Sequence, residues 1–418
     1  MRVAFLLQDL QQSGGTGAVV EHAAQLRHHH GIDAQLVLVR PPEHPDWPYR
    51  GLSEVPVLAL DAAGADPWDV AVSTSWPTAS VLFELPARRH AALVEGLEDS
   101  AYEPQAPEQL VAAMVTSLPV RFITGARWLA ELLEDLQPGN RVLYVREGIA
   151  KDVFRAPVAL EPAADGAPLR VVLVGGREDR RSGVDGALAA LAAMAEPVHV
   201  TWIASAPVAA PPGVDRVLSA LSAAELAAVL GRIDVVLDLP RAKGMSRPPL
   251  EAFHRGATVV TTPVTGHEEY VRHGANGVVV GWDDPRGTAR TLDLLARDRR
   301  LLHELRTGAL ETAGAWPDWR QASGVMALAL RRVAAEPGPP VAAAGRRLAS
   351  DFASAAADAQ LARRRLDQAL EAYAQLAQER TLGNLAKARG RAEVGRVRRR
   401  LGPVRRRLLG APKRLLKR

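Results

Sequence analysis

The segment from Ser222 to Val280 reads SAAELAAVLGRIDVVLDLPRAKGMSRPPLEAFHRGATVVTTPVTGHEEYVRHGANGVVV, and it decides the fold class. Ser222 followed by Glu225 is a capping box, which predicts that a helix begins there and ends near Gly231. Val235–Leu237 and Thr258–Thr261 are short apolar runs typical of parallel strands covered on both faces. The alternation of helix and strand therefore indicates one half of an α/β domain.

A basic, polar loop from Arg241 to Pro248 separates the first of these strands from the next helix. Pro248 and Pro249 suit a first helical turn, so we expect a helix from Pro249 to about His254 with Glu251 in that turn. In α/β proteins the positive end of such a helix binds phosphorylated ligands at the carboxyl edge of the sheet. Glu251 could accept hydrogen bonds from ribose hydroxyls, or it could be a surface Glu that complements the helix dipole.

The succession resembles the C-terminal domain of retaining nucleotide-sugar glycosyltransferases of glycosyltransferase family 4, which have two facing Rossmann-like domains (GT-B). The matching motifs are Asp234-Val-Val-Leu-Asp-Leu-Pro, Arg247-Pro-Pro-Leu-Glu251-Ala-Phe-His-Arg-Gly256, Thr265-Gly266-His-Glu-Glu269 and Gly274-Ala-Asn-Gly277. The resemblance covers residues 1 to about 335. It implies an α/β fold of the GT-B type and a donor site that includes Ser246, Arg247, Glu251, Gly266 and Glu269.

One position departs from the family's Glu, seven residues, Glu motif. Family spacing places the first Glu, which lies near the donor sugar, at Lys243. A subset that resembles bacterial rhamnosyltransferases carries Ser-Tyr-Pro-Pro-Leu-Glu, which is close to residues 246–251 here. We interpret Lys243 as a catalytic residue beside the diphosphate, with loss of a donor-sugar contact as the alternative.

Glycines follow the first apolar strand, Arg2–Leu7, and precede a helix predicted over Ala18–Arg27. Glycines in this place let the backbone approach a ligand closely, although a plain tight turn would also need them. The resemblance places this Gly-rich loop at the cleft between the domains. We assign Gly15 to the donor and Gly14 and Gly17 to the acceptor side.

Two further segments of the first half resemble the rhamnosyltransferase-like subset. One is Thr-Ser-Trp-Pro-Thr-Ala at 74–79, which contains Trp76, and the other is the acidic stretch after the strand that ends near Val94. Trp76 is assigned to the acceptor side. Glu95 and Asp99 are the candidate catalytic bases, provided that burial tunes their pKa. A solvated acidic loop is the alternative interpretation.

The second domain is expected to open with a strand at Leu169–Val174 followed by Gly-Gly-Arg177. The family carries an Arg here and a Lys five residues later, both on the donor diphosphate. Arg177 matches the first, but Ser182 stands at the second. Arg181 is the predicted replacement, because a guanidinium suits bidentate phosphate contact. Solvated loop arginines are the alternative.

The predicted organisation has four parts. They are a Rossmann-like acceptor-side domain (1–160), a Rossmann-like nucleotide-sugar-binding domain (161–335), a Pro-rich linker with a heptad helix (336–380) and a basic amphipathic tail (381–418). The resemblance implies that a helix beginning at Trp316-Pro-Asp-Trp319 crosses back to the first domain. The seam spaced by four and three residues within 346–380 suggests a homodimer, weakened by its high Ala content.

Charge is distributed unevenly along the chain. Of the 52 Lys and Arg and 47 acidic residues, 14 and one lie in 381–418, so this tail carries +13 and the first 380 residues carry −8 of the net +5. The tail interleaves Arg and Lys with Leu and Val and contains no aromatic residue for base stacking. It therefore favours an anionic membrane surface over nucleic acid.

Composition excludes thiol chemistry, because the 418 residues include no cysteine. No apolar run approaches the length of about 20 residues that spans a membrane, and no signal peptide is recognised. The expected location is cytoplasmic, with peripheral association at the inner face of the membrane. No metal site is predicted, because consecutive side chains in His28–His30 diverge on a helix.

The resulting hypothesis is a metal-independent glycosyltransferase with no cofactor other than its co-substrate, a nucleotide diphosphate sugar. It would extend a surface glycan or a glycolipid, with retention of configuration and with rhamnose as the suggested sugar. The alternative is a non-catalytic scaffold of the same fold, tethered to membrane by its tail, which the departures at Lys243 and Ser182 support.

Overall fold

The computed structural model describes residues 1–40, 47–160, 166–179, 181–337, 350–372 and 375. The chain divides into two compact units, Met1–Ala357 and Asp358–Arg418. The first unit holds two parallel α/β sheets, which confirms the predicted fold class for this part. In the second unit, residues 358–372 are helical. A helix in a single chain does not show pairing with a second copy, so the homodimer stays a prediction. The basic tail, 381–418, lies outside the described residues.

The first sheet has seven parallel strands in the order β3-β2-β1-β4-β5-β6-β7. These strands are β1 (Arg2–Leu7), β2 (Asp33–Leu38), β3 (Val57–Ala59), β4 (Trp68–Ser73), β5 (Ala87–Leu93), β6 (Arg121–Thr124) and β7 (Leu143–Tyr144). The helices of this domain are α1 (Gly14–His30), α2 (Trp76–Ala79), α3 (Pro107–Met114) and α4 (Arg127–Leu136).

The second sheet has six parallel strands in the order β10-β9-β8-β11-β12-β13. They are β8 (Leu169–Val174), β9 (Val198–Ile203), β10 (Arg216–Leu218), β11 (Val235–Asp238), β12 (Thr258–Thr261) and β13 (Gly277–Val279). The remaining helices are α5 (Val184–Ala192), α6 (Ala223–Leu230), α7 (Arg247–His254), α8 (Pro285–Arg297), α9 (Arg299–Ala315) and α10 (Trp319–Ala335). All four residues of β11 and of β12 are buried, as their apolar runs predict.

Strand order reverses next to the first strand of each sheet. The chain leaves β1 on one side through β2 and on the other through β4, and it leaves β8 in the same way through β9 and β11. Ligands of open α/β sheets bind at the carboxyl ends of the strands beside such switch points. The segments after β1, β8 and β11 are therefore the places where the topology positions a site.

Two helices begin earlier than the sequence predicts. Helix α1 starts at Gly14 because the Ser13 side chain accepts a hydrogen bond from Thr16 N at 3.0 Å, so the glycines form its first turn and no separate loop. Helix α7 starts at Arg247, which puts Glu251 just beyond the first turn. A short 3₁₀ helix, Thr265–Glu269, follows β12.

Helix α10 returns to the first domain, as the resemblance implies. Met326, Leu330 and Val333 belong to the hydrophobic core around β1 and α1. His22 Nδ1 and Ser323 Oγ form a buried hydrogen bond of 2.9 Å. The predicted range 161–335 for the second domain therefore ends in a helix that packs on the first. Among the described residues, none of the helices is both long and apolar enough to cross a membrane.

The two segments that cross between the domains meet at Gly148. A Cβ atom at this position would lie 2.6 Å from Trp319 N and Cα. Ile149 N also donates a hydrogen bond to Pro317 O at 3.0 Å. The crossing segments are thus in direct backbone contact, with no space for a side chain between them.

We expect Gly148→Ala to destabilise the protein by about 1–3 kcal/mol, because backbone on both sides would have to move. Differential scanning calorimetry of the variant would measure the change in Tm. Gly64→Ala is the matched control, since a Cβ atom there meets nothing within 4 Å. Equal Tm values for the two variants would contradict this close approach.

Candidate active site

A cavity of about 710 Å³ lies between the two domains, at the carboxyl edges of both sheets. The first domain contributes Gly14, Gly15, Gly17, Glu21, Glu95, Glu98 and Glu147 to its lining, and the second contributes Arg181, Lys243, Ser246, Arg247 and Glu251. We call this cavity the cleft. It brings together residues from the segments that follow β1, β5, β8 and β11.

The first turn of α1 packs directly against the carboxyl group of Glu95. A Cβ atom at Gly15 would overlap Glu95 Oε2, and one at Gly14 or Gly17 would lie 3.5 Å from Arg247 Nη2. The absence of a side chain at Gly15 therefore leaves the space that the Glu95 carboxyl occupies. The structure thus brings the three predicted glycines together with Glu95.

Glu95 is held in an environment that disfavours its charge. Burial, the neighbouring Glu147 and Glu98 raise its pKa to about 8, against the opposing effect of Arg247. Burial likewise raises the pKa of Glu21 to about 7, although Arg50 lies 3.7 Å away. Both carboxyl groups therefore change charge near neutral pH.

Glu98 lines the cleft, whereas Asp99, the predicted base beside it, does not. The Glu98 carboxyl accepts from Trp76 N at 3.0 and 3.1 Å, and burial raises its pKa to about 7. Trp76 is buried and donates from Nε1 to Tyr102 Oη at 2.6 Å. Trp76 thus positions Glu98 from behind and does not itself line the cleft.

On the opposite wall, Lys243 is held by a buried carboxylate. Its Nζ lies 3.3 Å from Asp238 Oδ1 and 3.2 Å from Ser246 Oγ. Ser246 Oγ donates to Asp238 Oδ2 at 3.2 Å, and His267 Nε2 lies 3.3 Å from the same oxygen. Burial alone would raise the pKa of Asp238, but Lys243 and His267 outweigh it and lower the pKa to about 2. An ionised Asp238 therefore fixes the Lys243 ammonium at the cleft.

The two predicted phosphate-binding arginines face different cavities. Arg181 lines the cleft with its Nε 3.0 Å from Asp179 Oδ1. Arg177 lines a separate cavity of about 400 Å³ and pairs with Asp185 at 2.6 Å. Ser182, at the position of the family's Lys, is buried and donates to Gly176 O at 2.7 Å. In the part of the chain that the structure describes, the segment after β8 presents Arg181 to the cleft, and the segment after β11 presents Lys243 and Arg247.

Helix α7 points its N-terminus and the Glu251 carboxyl into the cleft. Burial raises the pKa of Glu251, and Arg247 opposes this shift. Pro248 and Pro249 follow Arg247, so only one of the first three helical residues carries a backbone N–H group. The helix terminus therefore offers an anion fewer donors than an ordinary first turn.

Gly266 and Glu269, which were predicted to bind the donor, lie outside the cleft lining. A Cβ atom at Gly266 would overlap Gly244 O. Glu269 accepts from Tyr144 Oη at 2.6 Å and also from Arg127 N. Glu269 therefore joins the two domains, and Gly266 packs within its own domain.

Sequence reasoning gave no role to Asp238, Glu147 or Glu21, and it included Glu98 only as part of the acidic stretch that follows β5. Asp238 had a usable signal, because it is a charged residue at the carboxyl end of a fully buried strand. Glu21 lies within α1 and Glu147 follows β7, where no local pattern marks them. Within the described ranges, no group of three or more His, Cys, Asp or Glu side chains is arranged to hold a metal ion.

Residues 168–298 match the family model described as glycosyl transferases group 1. The match lies within the second domain, which we call the group 1 domain. The chain is also 32% identical over 232 residues to D-inositol 3-phosphate glycosyltransferase of Thermobispora bispora, an alignment that covers 49% of this chain and 54% of the relative. The chain thus spans about half the length of this curated relative.

Solved structures extend the likeness to both domains. Anabaena HepE in complex with UDP and glucose superposes with a TM-score of 0.64 at 14% identity and covers 79% of this chain and 99% of HepE. Sucrose-phosphate synthase from Thermosynechococcus elongatus gives a TM-score of 0.65 at 15% identity and covers 80% and 99%. At these identities the likeness shows the fold, so the group 1 domain is one half of a GT-B architecture.

The raised pKa of Glu95 predicts that stability falls with pH. Its pKa is about 8 when folded against an ordinary 4.5, so the folded state binds more protons between these values. The contribution of Glu95 to the free energy of unfolding is therefore fully present below about pH 4.5 and is lost as the pH rises through about 8. Between pH 6 and pH 8 the free energy of unfolding of wild type should fall by about 2 kcal/mol relative to that of Glu95→Gln, since one pKa unit is about 1.4 kcal/mol.

Urea unfolding of both proteins at pH 6 and pH 8 would measure this difference. Glu131→Gln, on the exposed face of α4, is the control and should show the pH dependence of the wild type. A Glu95→Gln variant with the same pH dependence as wild type would show that Glu95 is ionised throughout.

Proposed function

We propose that this protein is a glycosyltransferase that uses a nucleoside diphosphate sugar as donor. The observation that carries the proposal is the cleft itself. Glu251, Lys243 and Arg181 of the group 1 domain face the first turn of α1 and Glu95 across one cavity of about 710 Å³. The relative from Thermobispora bispora and the UDP complexes of HepE support a sugar nucleotide as the donor.

In the proposed mechanism, the donor lies on the wall of the group 1 domain. The Glu251 carboxyl would accept hydrogen bonds from ribose hydroxyls. Arg181 and Lys243 would face the diphosphate, where negative charge develops as the bond to the sugar breaks. Cations fixed in advance stabilise that charge without reorganising during the reaction, which is the largest catalytic contribution this arrangement offers.

The acceptor would enter from the wall formed by α1 and Glu95. With a pKa of about 8, the Glu95 carboxyl is partly ionised near neutral pH, and its ionised form is a stronger base than an ordinary carboxylate. Glu95 is therefore the residue that we expect to take the proton of an acceptor hydroxyl. Glu98, with its pKa near 7, is a second acceptor contact.

Several finer features of the reaction belong to the same proposal. They are retention of configuration, transfer to a surface glycan or glycolipid, rhamnose as the sugar and independence from metal. The motif at 246–251 resembles the rhamnosyltransferase-like subset, and this resemblance supports retention, the glycan or glycolipid acceptor and rhamnose. The guanidinium and ammonium groups at the cleft support the last, because they carry the charge that a metal would otherwise supply.

A non-catalytic scaffold of the same fold is the second candidate. Lys243 replaces a carboxylate of the family motif, and its charge is already matched by Asp238. Arg177 faces the other cavity. Specific nucleotide-sugar binding without transfer or hydrolysis would favour this function.

Glu251→Ala should abolish transfer, with a loss of at least about 100-fold, because a fixed contact to the donor disappears. The full chain would be screened by thermal shift and calorimetry against the UDP, GDP and dTDP sugars. A ligand at 100 times its Kd stabilises the fold by about 2.7 kcal/mol. The stabilisation should be lost in Glu251→Ala and kept in the control Glu311→Ala, which lies on the exposed side of α9.

An active Glu251→Ala variant would overturn the assignment of Glu251. Absence of binding for every nucleotide sugar would overturn the proposed donor class.

We further propose that the +13 segment 381–418 binds anionic membrane. The full chain should float with vesicles that contain 30% phosphatidylserine, and removal of 381–418 should abolish flotation, since each basic residue contributes about 1 kcal/mol near such a surface. Binding should weaken in 0.5 M salt. Equal flotation of both proteins, or tighter binding of the tail to duplex DNA than to vesicles, would contradict the proposal.

A further inference from the structure

Arg247 begins α7 in the group 1 domain, but its side chain reaches the other domain. Its Nη2 donates to Gly14 O at 2.5 Å, and its Nε lies 3.1 Å from Glu147 Oε2. The guanidinium carbon lies 5.7 Å from the centre of the Trp319 ring, within the range of a cation–π contact. Each of these three contacts joins α7 to a part of the chain outside the group 1 domain fold.

The three partners occupy the places that determine how the domains meet. Gly14 is in the first turn of α1. Glu147 stands between β7 and the first crossing at Gly148, and Trp319 begins α10 at the second crossing. One side chain of α7 therefore touches the opposite wall of the cleft and both crossing segments.

The surroundings of Arg247 are rich in carboxyl groups. The charge of Arg247 lowers the pKa of His22 and of Tyr49. It also interacts with four carboxyl groups and lowers their pKa values; these belong to Glu21, Glu95, Glu147 and Glu251. They come from α1, from the segments after β5 and β7, and from α7 itself. Arg247 is thus a cation shared by acidic groups on both walls.

We propose that Arg247 is a positioning residue that sets the approach of the two domains and so places Glu251 opposite the first turn of α1. This inference rests on the proposed function and assigns Arg247 a role other than donor binding. Its guanidinium is engaged by Gly14, Glu147 and Trp319, and Gly14 and Gly17 leave the room it occupies. A lysine would keep the charge but lose the planar fork that makes several contacts at once.

The first test measures the domain approach directly and needs no ligand. The chain contains no cysteine, so Glu131→Cys on α4 and Glu311→Cys on α9 give a unique pair of spin labels at exposed positions. Electron–electron double resonance should give a broader distance distribution in Arg247→Ala and an intermediate one in Arg247→Lys. Arg241→Ala, which removes an exposed arginine paired with Asp283, is the matched control and should leave the distribution unchanged.

Unchanged distributions in both Arg247 variants would overturn the proposal. Circular dichroism establishes whether each variant is folded. If Arg247→Ala does not fold, the distance distribution of Arg247→Lys decides the proposal.

The second test separates positioning from donor contact. The Kd values for UDP, GDP and dTDP should change by no more than about threefold in Arg247→Lys. Its kcat should fall about 100-fold, because a displacement of the catalytic groups near 1 Å lowers the rate by this factor.

In Arg247→Ala the acid limb of the pH profile of kcat should move to higher pH, because the carboxyl groups lose a cation that lowers their pKa.

A tenfold or larger rise in Kd for the bound nucleotide, with kcat unchanged, would overturn the proposal in favour of a donor contact. If the wild type binds none of the three nucleotides and transfers no sugar, the proposed function fails. The spin-label distances still decide the role of Arg247 in that case.

Discussion

Among the residues that the structure describes, more carboxyl groups than cations line the cleft, and this imbalance governs the chemistry around it. The acidic residues that line it are Glu21, Glu95, Glu98, Glu147, Asp179 and Glu251, against Arg50, Arg181, Lys243 and Arg247. A buried charge without a partner is costly, so these groups pair or hold a proton. Two features described above follow from the carboxyl groups at the cleft. The glycines in the first turn of α1 leave space for the Glu95 carboxyl, and Arg247 contacts the first domain, where it pairs with Glu147.

The imbalance is not shared equally between the two walls. Within the described ranges, the wall of the first domain carries four of the six carboxyl groups and one cation, Arg50, whereas the group 1 domain carries Arg181, Lys243 and Arg247. The nucleotide donor that we propose would therefore meet a favourable field on one side only. A wall of groups that change charge near neutral pH would suit hydroxyl chemistry on the other side, so electrostatics would distinguish the two proposed substrates before any specific contact forms.

Much of the fold followed from local patterns. The bounds of β1 and β8 and the capping box of α6 were predicted correctly, because apolar runs and N-cap chemistry act over a few residues. The starts of α1 and α7 were placed too late, since glycines and prolines suggested loops where Ser13 and Ser246 are N-caps.

The site was less accessible to the same reasoning. Resemblance located Lys243, Arg247 and Glu251 on the cleft, but it gave no sign that Arg177 faces a different cavity. The contact of Arg247 with Gly14 joins residues 233 positions apart. Such contacts depend on how two domains meet, and no periodicity or spacing within one segment encodes them.

The return of α10 makes the first domain discontinuous along the chain. Its core is completed by Met326, Leu330 and Val333, which are separated from β7 by the whole second sheet. The group 1 domain is thus topologically an insertion with two junctions, at Gly148 and near Trp316. A chimaera that exchanges the group 1 domain between related proteins would need to be spliced at both junctions, because a single C-terminal replacement would also remove a helix from the first domain.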